Sequence, residues 1–447
     1  MNTSVRTPTG QSVAVIGAGW AGCAAAVEAT RRGHRVTLFE ATRVVGGRAR
    51  RVVSPTSAAG DTPWELDNGQ HILIGAYVDT LRLMADLGID LQATLLRMPL
   101  TLQFMTADGL RGLKLPPLPA PWDALAGIVQ AAGWSWRDKM GLLREAVRWQ
   151  LAGFACPPLM SVAALCRTLT PRVQAELIEP LCVSALNTPA ARASGQVFLR
   201  VLKDSMFAVS GGSNLLLPRV DLSALLPDAA VVWLEQAGAT VKIGTRVQRL
   251  TDAGTACGWH LTAGETTRFD QVILAGSPQA TQRLLTDSAL GNRHQHQVQQ
   301  WMAAANALAF EAITTVYARA PGVCLPQPML ALRPTAQAPA QFVFDRGQLG
   351  GPTGLLAFVV SASTGSNADI TAQVLAQSAH QLGITNFKAV QTIVEKRATF
   401  ACTPGLQRPG MTVQPHLLAC GDYVQGPYPA TLEGAVRSGL AAARAIG

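Results

Sequence analysis

The sequence predicts an α/β fold: a parallel sheet layered with helices, interleaved along the chain with a second domain of mixed α+β character. Three observations predict it. A strand, a glycine-rich turn and an Ala-rich helix open the chain; a β-α alternation returns after Gly211-Gly212; and a strand, a Gly-Asp, a loop and a helix close it. The 447 residues suit two domains, at roughly 100 to 200 residues each. The implied division gives 10–79, 206–280 and 396–447 to the sheet-bearing domain and 80–205 and 281–395 to the other.

Residues 12–16 (SVAVI) form an apolar run of strand length, and Trp20 to Arg32 reads as a helix stopped at Gly33. With a second strand at 35–39 (RVTLF) this makes a β-α-β unit of the length a parallel crossover needs. From about 80 to 205 the pattern predicts helical segments broken by Pro clusters at 116–121 and 157–158, with four of the nine Trp in 122–149. A helix near 228–237, a strand ATVKI, a hairpin and the strand QVILA at 271–275 are expected to rejoin the first sheet. Residues 281–300 are polar. Their His294 and His296 have no carboxylate or cysteine beside them to complete a metal site, so a solvated loop is expected.

Gly17, Gly19 and Gly22 stand as G-x-G-x-x-G between the first strand and helix. The first allows a tight turn, the second lets backbone approach a pyrophosphate, and the third lets the helix pack on the strand. The N–H groups of the helix start, at Trp20 and Ala21, then face a phosphate with partial positive charge behind them. Glu40 closes the second strand near the spacing of the acid that binds adenosine ribose hydroxyls, and its charge disfavours a 2′-phosphate. These parts predict a dinucleotide site other than one for NADP. Gly46, Gly47 and Arg48 follow, and an arginine fork pairs well with phosphate.

Near the far end, Gly421-Asp422 precedes a helix beginning at Thr431, Leu432 and Glu433. Together with the G-x-G-x-x-G unit, the GG-R element and a TRVQRL segment carrying Val247, this chain resembles the amine oxidase and phytoene desaturase flavoproteins. The resemblance implies a Rossmann-like FAD-binding domain of the amine oxidase type. It places Gly46, Gly47 and Arg48 at the FAD diphosphate, Val247 at the adenine, Asp422 after Gly421 at the ribityl chain, and the start of the last helix at the flavin pyrimidine. A helix N-terminus suits the negative charge of reduced flavin.

Between these halves lies ELDNGQHILIGAY, residues 65–77, with Asn68, Gly69 and Gln70 in the turn expected beside the flavin. This segment, EKRATFACTPGLQRPG and GPYPATLEGAVRSG resemble the hydroxysqualene dehydroxylase family, squalene-associated FAD enzymes of bacterial hopanoid synthesis. That resemblance covers most of the chain. It implies reduction of hydroxysqualene to squalene with loss of water, on an apolar triterpenoid substrate. Hydroxide leaves poorly, so a proton donor is expected: His71 first, because imidazole titrates near neutral pH, and Asp67 second. An FAD-dependent desaturase or oxidase of a polyprenoid or amine would share the cofactor motifs. Thr431, where amine oxidases usually carry an aromatic cage residue, argues against an amine, although Tyr423 and Tyr428 lie nearby in sequence.

Hydrophobic residues make up 48% of the chain and charged ones 15%, which suits an apolar ligand and excludes extensive disorder. The net charge of +9 favours an anionic partner. No nucleic-acid motif is present, so nucleic acid is not expected. The eight cysteines form no C-x-x-C pair, so neither a zinc site nor a redox dithiol is predicted. The N-terminus lacks a signal-peptide pattern and no apolar run is long enough to span a membrane, so a cytoplasmic protein is expected. The aromatic and basic stretch 113–150, with Trp134 and Trp136, suits peripheral contact with an anionic membrane on the inner face of the plasma membrane. Only one dinucleotide motif is present, and no feature names the electron donor.

Overall fold

The computed structural model describes residues 10–54, 63–254 and 257–446. Most of the N-terminal stretch read for a signal peptide lies outside them. The chain opens with β1 (Ser12–Ile16), α1 (Trp20–Arg31) and β2 (Arg35–Glu40), close to the predicted bounds. Buried Ala24, Ala25 and Ala26 keep the inner face of α1 thin, so the helix lies close against its neighbours. After α2 (Val78–Asp86) the chain leaves this layer.

Residues 80–205 are less helical than their composition suggests. Strands at Leu95–Met98, Thr101–Thr106 and Gly109–Lys114 precede the helices, the last two paired as an antiparallel hairpin. Ala107-Asp108 makes the turn, closed by Gly109 at φ +102°, and buried Leu102 and Phe104 alternate with the more exposed Gln103 and Met105. Proline density downstream masked this period-two signal. Helices α3 (Trp122–Gln130), α4 (Trp136–Leu151) and α5 (Gly195–Lys203) follow.

The strands β3 (Thr240–Ile243) and β4 (Gln271–Leu274) return to the first layer as predicted. The polar stretch after them is not a loop. Residues 278–286 and 295–306 are helical, with His294 at the N-cap position of the second helix, and Val298, Trp301 and Ala305 on its buried side. These three recur at helical spacing among glutamines, which hid the period. Among the described residues no cluster of His, Cys, Asp or Glu could hold a metal ion.

An antiparallel sheet is then built around β5 (Phe310–Arg319), β6 (Leu355–Ser361) and β7 (Lys388–Phe400), and the chain ends with β8 (Thr412–Gln414), β9 (Leu417–Ala419) and α6 (Leu432–Arg444). The first sheet has the order β3-β2-β1-β4-β9-β8, parallel except for β8. Its strands come from three separated stretches of sequence, while the boundary drawn at 396 falls inside β7. Helix α6 packs on α1, and a Cβ at Gly439 would lie 2.1 Å from the Ala21 carbonyl oxygen, so only glycine permits this approach. The contact binds the two ends of the chain into one layer.

Candidate active site

A cavity of about 600 Å³ opens where β1, β2 and β4 end, with Ile16, Phe39 and Leu274 on its wall. This is the carboxyl edge of a parallel sheet, where ligands bind in open α/β folds. Gly17 (φ +113°), Gly19, Trp20 and Ala21 line it. Gly22 does not: its Cβ position falls 1.8 Å from the Gly17 carbonyl oxygen, so its task is the close packing of helix on strand. Gly19 caps α1 with no side-chain hydrogen bond and no acid stands in the first turn, so the amide groups there are open to an anion.

Glu40 lies on the wall with both oxygens engaged. Oε2 accepts from the Ala18 amide at 2.8 Å, and Oε1 from the amide and hydroxyl of Thr42 at 2.8 Å each. The acid therefore shapes the glycine turn as well as facing the cavity. Gly46 bridges to Gly19 and donates to the Ala18 carbonyl at 2.8 Å, bringing Gly47 and Arg48 to the same wall. Val247 lines the cavity just before a strand that starts at Arg249, positioned by the Thr245 amide donating to the Glu40 carbonyl at 2.7 Å.

Arg48 lies on the cavity wall, as expected of a diphosphate neighbour, with its side chain already partnered. Its guanidinium forms an ion pair with Asp422 and donates to the Ala398 carbonyl at 2.8 Å. Burial disfavours the charged form, but the Asp422 carboxylate outweighs it and holds the guanidinium above its ordinary pKa. Residues from both ends of the chain thus form one charged pair in the cavity wall, with Gly421 beside it.

Thr431 caps α6, its hydroxyl accepting from the Gly434 amide at 3.0 Å, and Leu432 lies beside it on the wall. Glu433 also lies on the wall, with its carboxylate engaged by α2. It accepts from the amides of Asp79 and Thr80 at 3.1 and 2.9 Å and from the Thr80 hydroxyl at 2.7 Å, so it caps α2. What Glu433 offers a ligand is its own main-chain N–H. Asn68 is similarly engaged: it donates to the Arg48 carbonyl at 2.6 Å and accepts from the Arg50 amide at 3.0 Å, tying the 65–77 turn to the GG-R element. Gln70 accepts from Arg346 at 3.3 Å, and Gly69 completes the turn on the wall.

His71 lines the cavity, with Nδ1 2.8 Å from the Gly69 carbonyl oxygen. That bond places the neutral ring's proton on Nδ1 and leaves Nε2 as a lone pair. Burial pushes the imidazole below its usual pKa, and the nearby Arg48 charge adds to this, against the Gly69 hydrogen bond. Donation to a ligand therefore requires that Nε2 first be protonated.

Asp67 is corrected more strongly, because it does not line the cavity. Its carboxylate is buried and accepts from the Leu222 amide at 2.8 Å, while its carbonyl accepts from the Tyr317 hydroxyl at 2.9 Å. Burial raises its pKa from the ordinary 3.8 to about 6, opposed by Arg346 and the Leu222 hydrogen bond. Because the folded state prefers the protonated acid, this stability contribution is complete below about pH 4 and lost as pH rises through about 6. Asp67→Asn keeps an oxygen for Leu222 and removes the charge. We expect its stability relative to wild type to rise between pH 4 and 8 by about 2–3 kcal/mol. Thermal unfolding at the two pH values measures this, and a constant difference would show that Asp67 is ionised throughout.

Beyond these residues an apolar stretch of wall is formed by Leu102, Phe198, Leu202, Met206, Phe342 and Phe344, interrupted by Asn187, Ser205, Ser213, Glu395 and Thr399. Two polar groups stand out there: the Tyr428 hydroxyl donates to Asp204 at 2.8 Å, and Arg200 and Arg437 lie 5.6 and 5.1 Å from the Tyr428 ring centre. Tyr428 lies in the GPYPATLEGAVRSG segment but Asp204 carries no motif, so the sequence could not have joined residue 204 to residue 428. Tyr423, also on the wall, is fully buried.

The glycine cradle and the first turns of α1 and α6 suit a diphosphate and an electron-rich ring, which is the fit a flavin dinucleotide requires. Relatives agree with that chemistry. The hydroxysqualene dehydroxylase of Rhodopseudomonas palustris is 29% identical, with 97% of each chain covered, and that of Zymomonas mobilis is 25% identical over 96% of this chain and 97% of its own. The crystal structure of an oxidoreductase from Methanosarcina mazei shares the fold with a TM-score of 0.74 at 16% identity, covering 96% of this chain and 99% of its own. The family model for flavin containing amine oxidoreductases matches residues 20–447, and the chain belongs to that family.

Proposed function

We propose that this FAD-dependent oxidoreductase reduces hydroxysqualene to squalene with release of water, in squalene and hopanoid biosynthesis. The observation that carries the reading is the continuity of the cavity: one lining joins the dinucleotide cradle to a broad apolar wall of Leu102, Phe198, Leu202, Met206, Phe342 and Phe344. Similarity to hydroxysqualene dehydroxylases over nearly the whole chain supports the same substrate. In the reaction an allylic C–O bond breaks, a C–H bond forms at the same carbon, and a proton converts the leaving hydroxide to water. Reduced FAD supplies the hydride.

This chain's residues have three tasks. Gly17, Gly19, Trp20 and Ala21, with Gly46 and Gly47, accept the diphosphate through backbone, Glu40 meets the ribose and Val247 the adenine. The Arg48–Asp422 pair stands at the ribityl side, and the amides at Leu432 and Glu433 lie toward the ring. The apolar wall holds the hydrocarbon by removing it from water and leaves the hydroxyl to seek the polar groups of the cavity. His71 is the proton donor we favour among them, acting as imidazolium.

The carrying experiment is a single turnover under argon, with photoreduced protein and hydroxysqualene, followed by lipid extraction. Squalene formed in step with flavin reoxidation is the expected result. Reduced flavin that persists beside unconsumed alcohol would remove this substrate and leave a desaturase or oxidase, which needs oxidised flavin. Among the described residues no helix is long and apolar enough to cross a membrane. We place the protein in the cytoplasm, in peripheral contact with the anionic inner face of the plasma membrane, where an apolar substrate is held.

A further inference from the structure

We propose that the outer faces of α3 and α4 dock on an anionic phospholipid surface, and that the cavity receives its hydrocarbon from that surface past the Phe154–Phe207 pair. The route, though not the docking, rests on the apolar-substrate reading above. An amphipathic helix of a soluble protein shows one apolar stripe, turned inward. Helix α4 has two. Its inner side buries Leu142 and Trp149, while Trp136, Met140, Val147 and Leu151 stand outside, with Trp136 and Leu151 69% and 85% exposed. Their spacing of i, i+4, i+11 and i+15 stacks them on a single side.

Helix α3 continues the patch through exposed Trp122, Leu125 and Val129. The junction is visible in Lys139, whose ammonium donates to the Val129 carbonyl at 2.6 Å and lies 5.5 Å from the Trp136 ring centre. Single exposed apolar residues are ordinary on a protein surface, but a contiguous group of this size marks an interaction site. Trp134, which composition alone could not separate from Trp136, is buried and donates to Glu176 at 2.9 Å, so it belongs to the interior.

Charge selects the occupant. Between residues 109 and 175 the only acids are Asp123, Asp138 and Glu145, and all three are buried. Arg137, Arg144 and Arg148 are exposed along α4, and the first two form no ion pair among the described residues. A face of Trp, Met and Leu flanked by Arg137 and Arg144, which have no ion-pair partner among the described residues, matches the headgroup boundary of an anionic bilayer, where aromatic and aliphatic groups enter and arginines meet phosphate.

The same patch leads inward. Three residues beyond Leu151, the Phe154 ring lies 5.1 Å from that of Phe207. Phe207 is itself exposed and belongs to the turn Asp204–Ala208, whose Asp204, Ser205 and Met206 line the cavity. Exposed lipid-facing surface and cavity wall are thus neighbours in one turn. A long hydrocarbon crossing here need not pass through water, which is the costly step for such a molecule.

Flotation of the flavin-loaded protein with vesicles of phosphatidylcholine, with and without phosphatidylglycerol, tests the docking. Wild type should float with the phosphatidylglycerol vesicles and less so at high salt, while Trp136→Ser/Met140→Ser/Leu151→Ser should bind about tenfold or more weakly. Circular dichroism should show the variant folded. Equal flotation of variant and wild type, or a wild type that stays unbound and sediments as a dimer, overturns the proposal; the latter assigns the face to a second copy. For the route, nitroxide labels at Leu151→Cys and Phe207→Cys, with exposed Cys257 and Cys324 replaced by Ser, should both become accessible to lipid-dissolved oxygen on vesicles. A label at 207 that stays accessible only to a water-soluble relaxer excludes the route. Neither readout needs turnover, so failure here is distinct from failure of the dehydroxylation reading.

Discussion

Asp422→Ala is expected to purify without colour and to bind FAD on the order of 100-fold or more weakly. The carboxylate is nearly inaccessible and its partner is the guanidinium of Arg48, whose side chain is one-third exposed on the cavity wall. Removing one member of a buried ion pair costs about 3–5 kcal/mol because the other charge is left uncompensated; the partial exposure of Arg48 places this case toward the lower end. The damage falls on the cofactor site, since Arg48 also holds the Ala398 carbonyl and, through its own carbonyl, Asn68 of the adjoining turn. The fold should survive, because the α1–α6 contact and the six-stranded sheet do not depend on the pair. Equilibrium titration with FAD, beside a far-ultraviolet spectrum, measures both. Asp422→Asn should fall between wild type and Ala, keeping a hydrogen-bond acceptor without its charge. A yellow Asp422→Ala protein of unchanged affinity would show that the pair is not part of the cofactor site.

That pair also shows what the sequence can and cannot reveal. Gly17, Gly22 and Gly46 were legible because the backbone leaves no alternative: a Cβ at each would fall within 2.8 Å of a carbonyl oxygen. The β1–α1–β2 unit was legible because its periods are local. Arg48 and Asp422 could each be placed near a flavin, but their mutual contact spans 374 residues and leaves no local trace. The same is true of Glu433, whose place at the start of α6 is legible while the contact of its carboxylate with α2 is not. Asp67 and His71, four residues apart in one turn, look equally suited to proton transfer. Only the fold shows that one faces Leu222 and the other the cavity. Local pattern fixes backbone geometry; where a polar side chain finds its partner is decided by packing.

His71→Ala should retain FAD and fold yet slow squalene formation by about 100- to 10,000-fold, the usual contribution of a positioned general acid. The pH dependence distinguishes this role from a scaffolding one. Burial and Arg48 hold the imidazole below its usual pKa, and the Gly69 carbonyl fixes the neutral ring's proton on Nδ1. The proton-donating form, with Nε2 protonated, is therefore abundant only on the acid side of the ordinary value near 6.5. The sign follows: the single-turnover rate should climb as pH falls and drop about tenfold per unit on the alkaline side of the His71 pKa. A negatively charged ligand in the cavity would oppose both causes of the depression and move the profile upward. In His71→Ala the slope should vanish along with the rate. Flavin reoxidation by hydroxysqualene under argon, followed from pH 5 to 8, reads both quantities without the electron donor. If wild type is flat across that range while His71→Ala is slow, the ring is a positioning group that receives the substrate hydroxyl at Nε2, and the proton comes from elsewhere. If His71→Ala stays within threefold of wild type, the residue is scaffolding for the turn, held there by the Gly69 carbonyl.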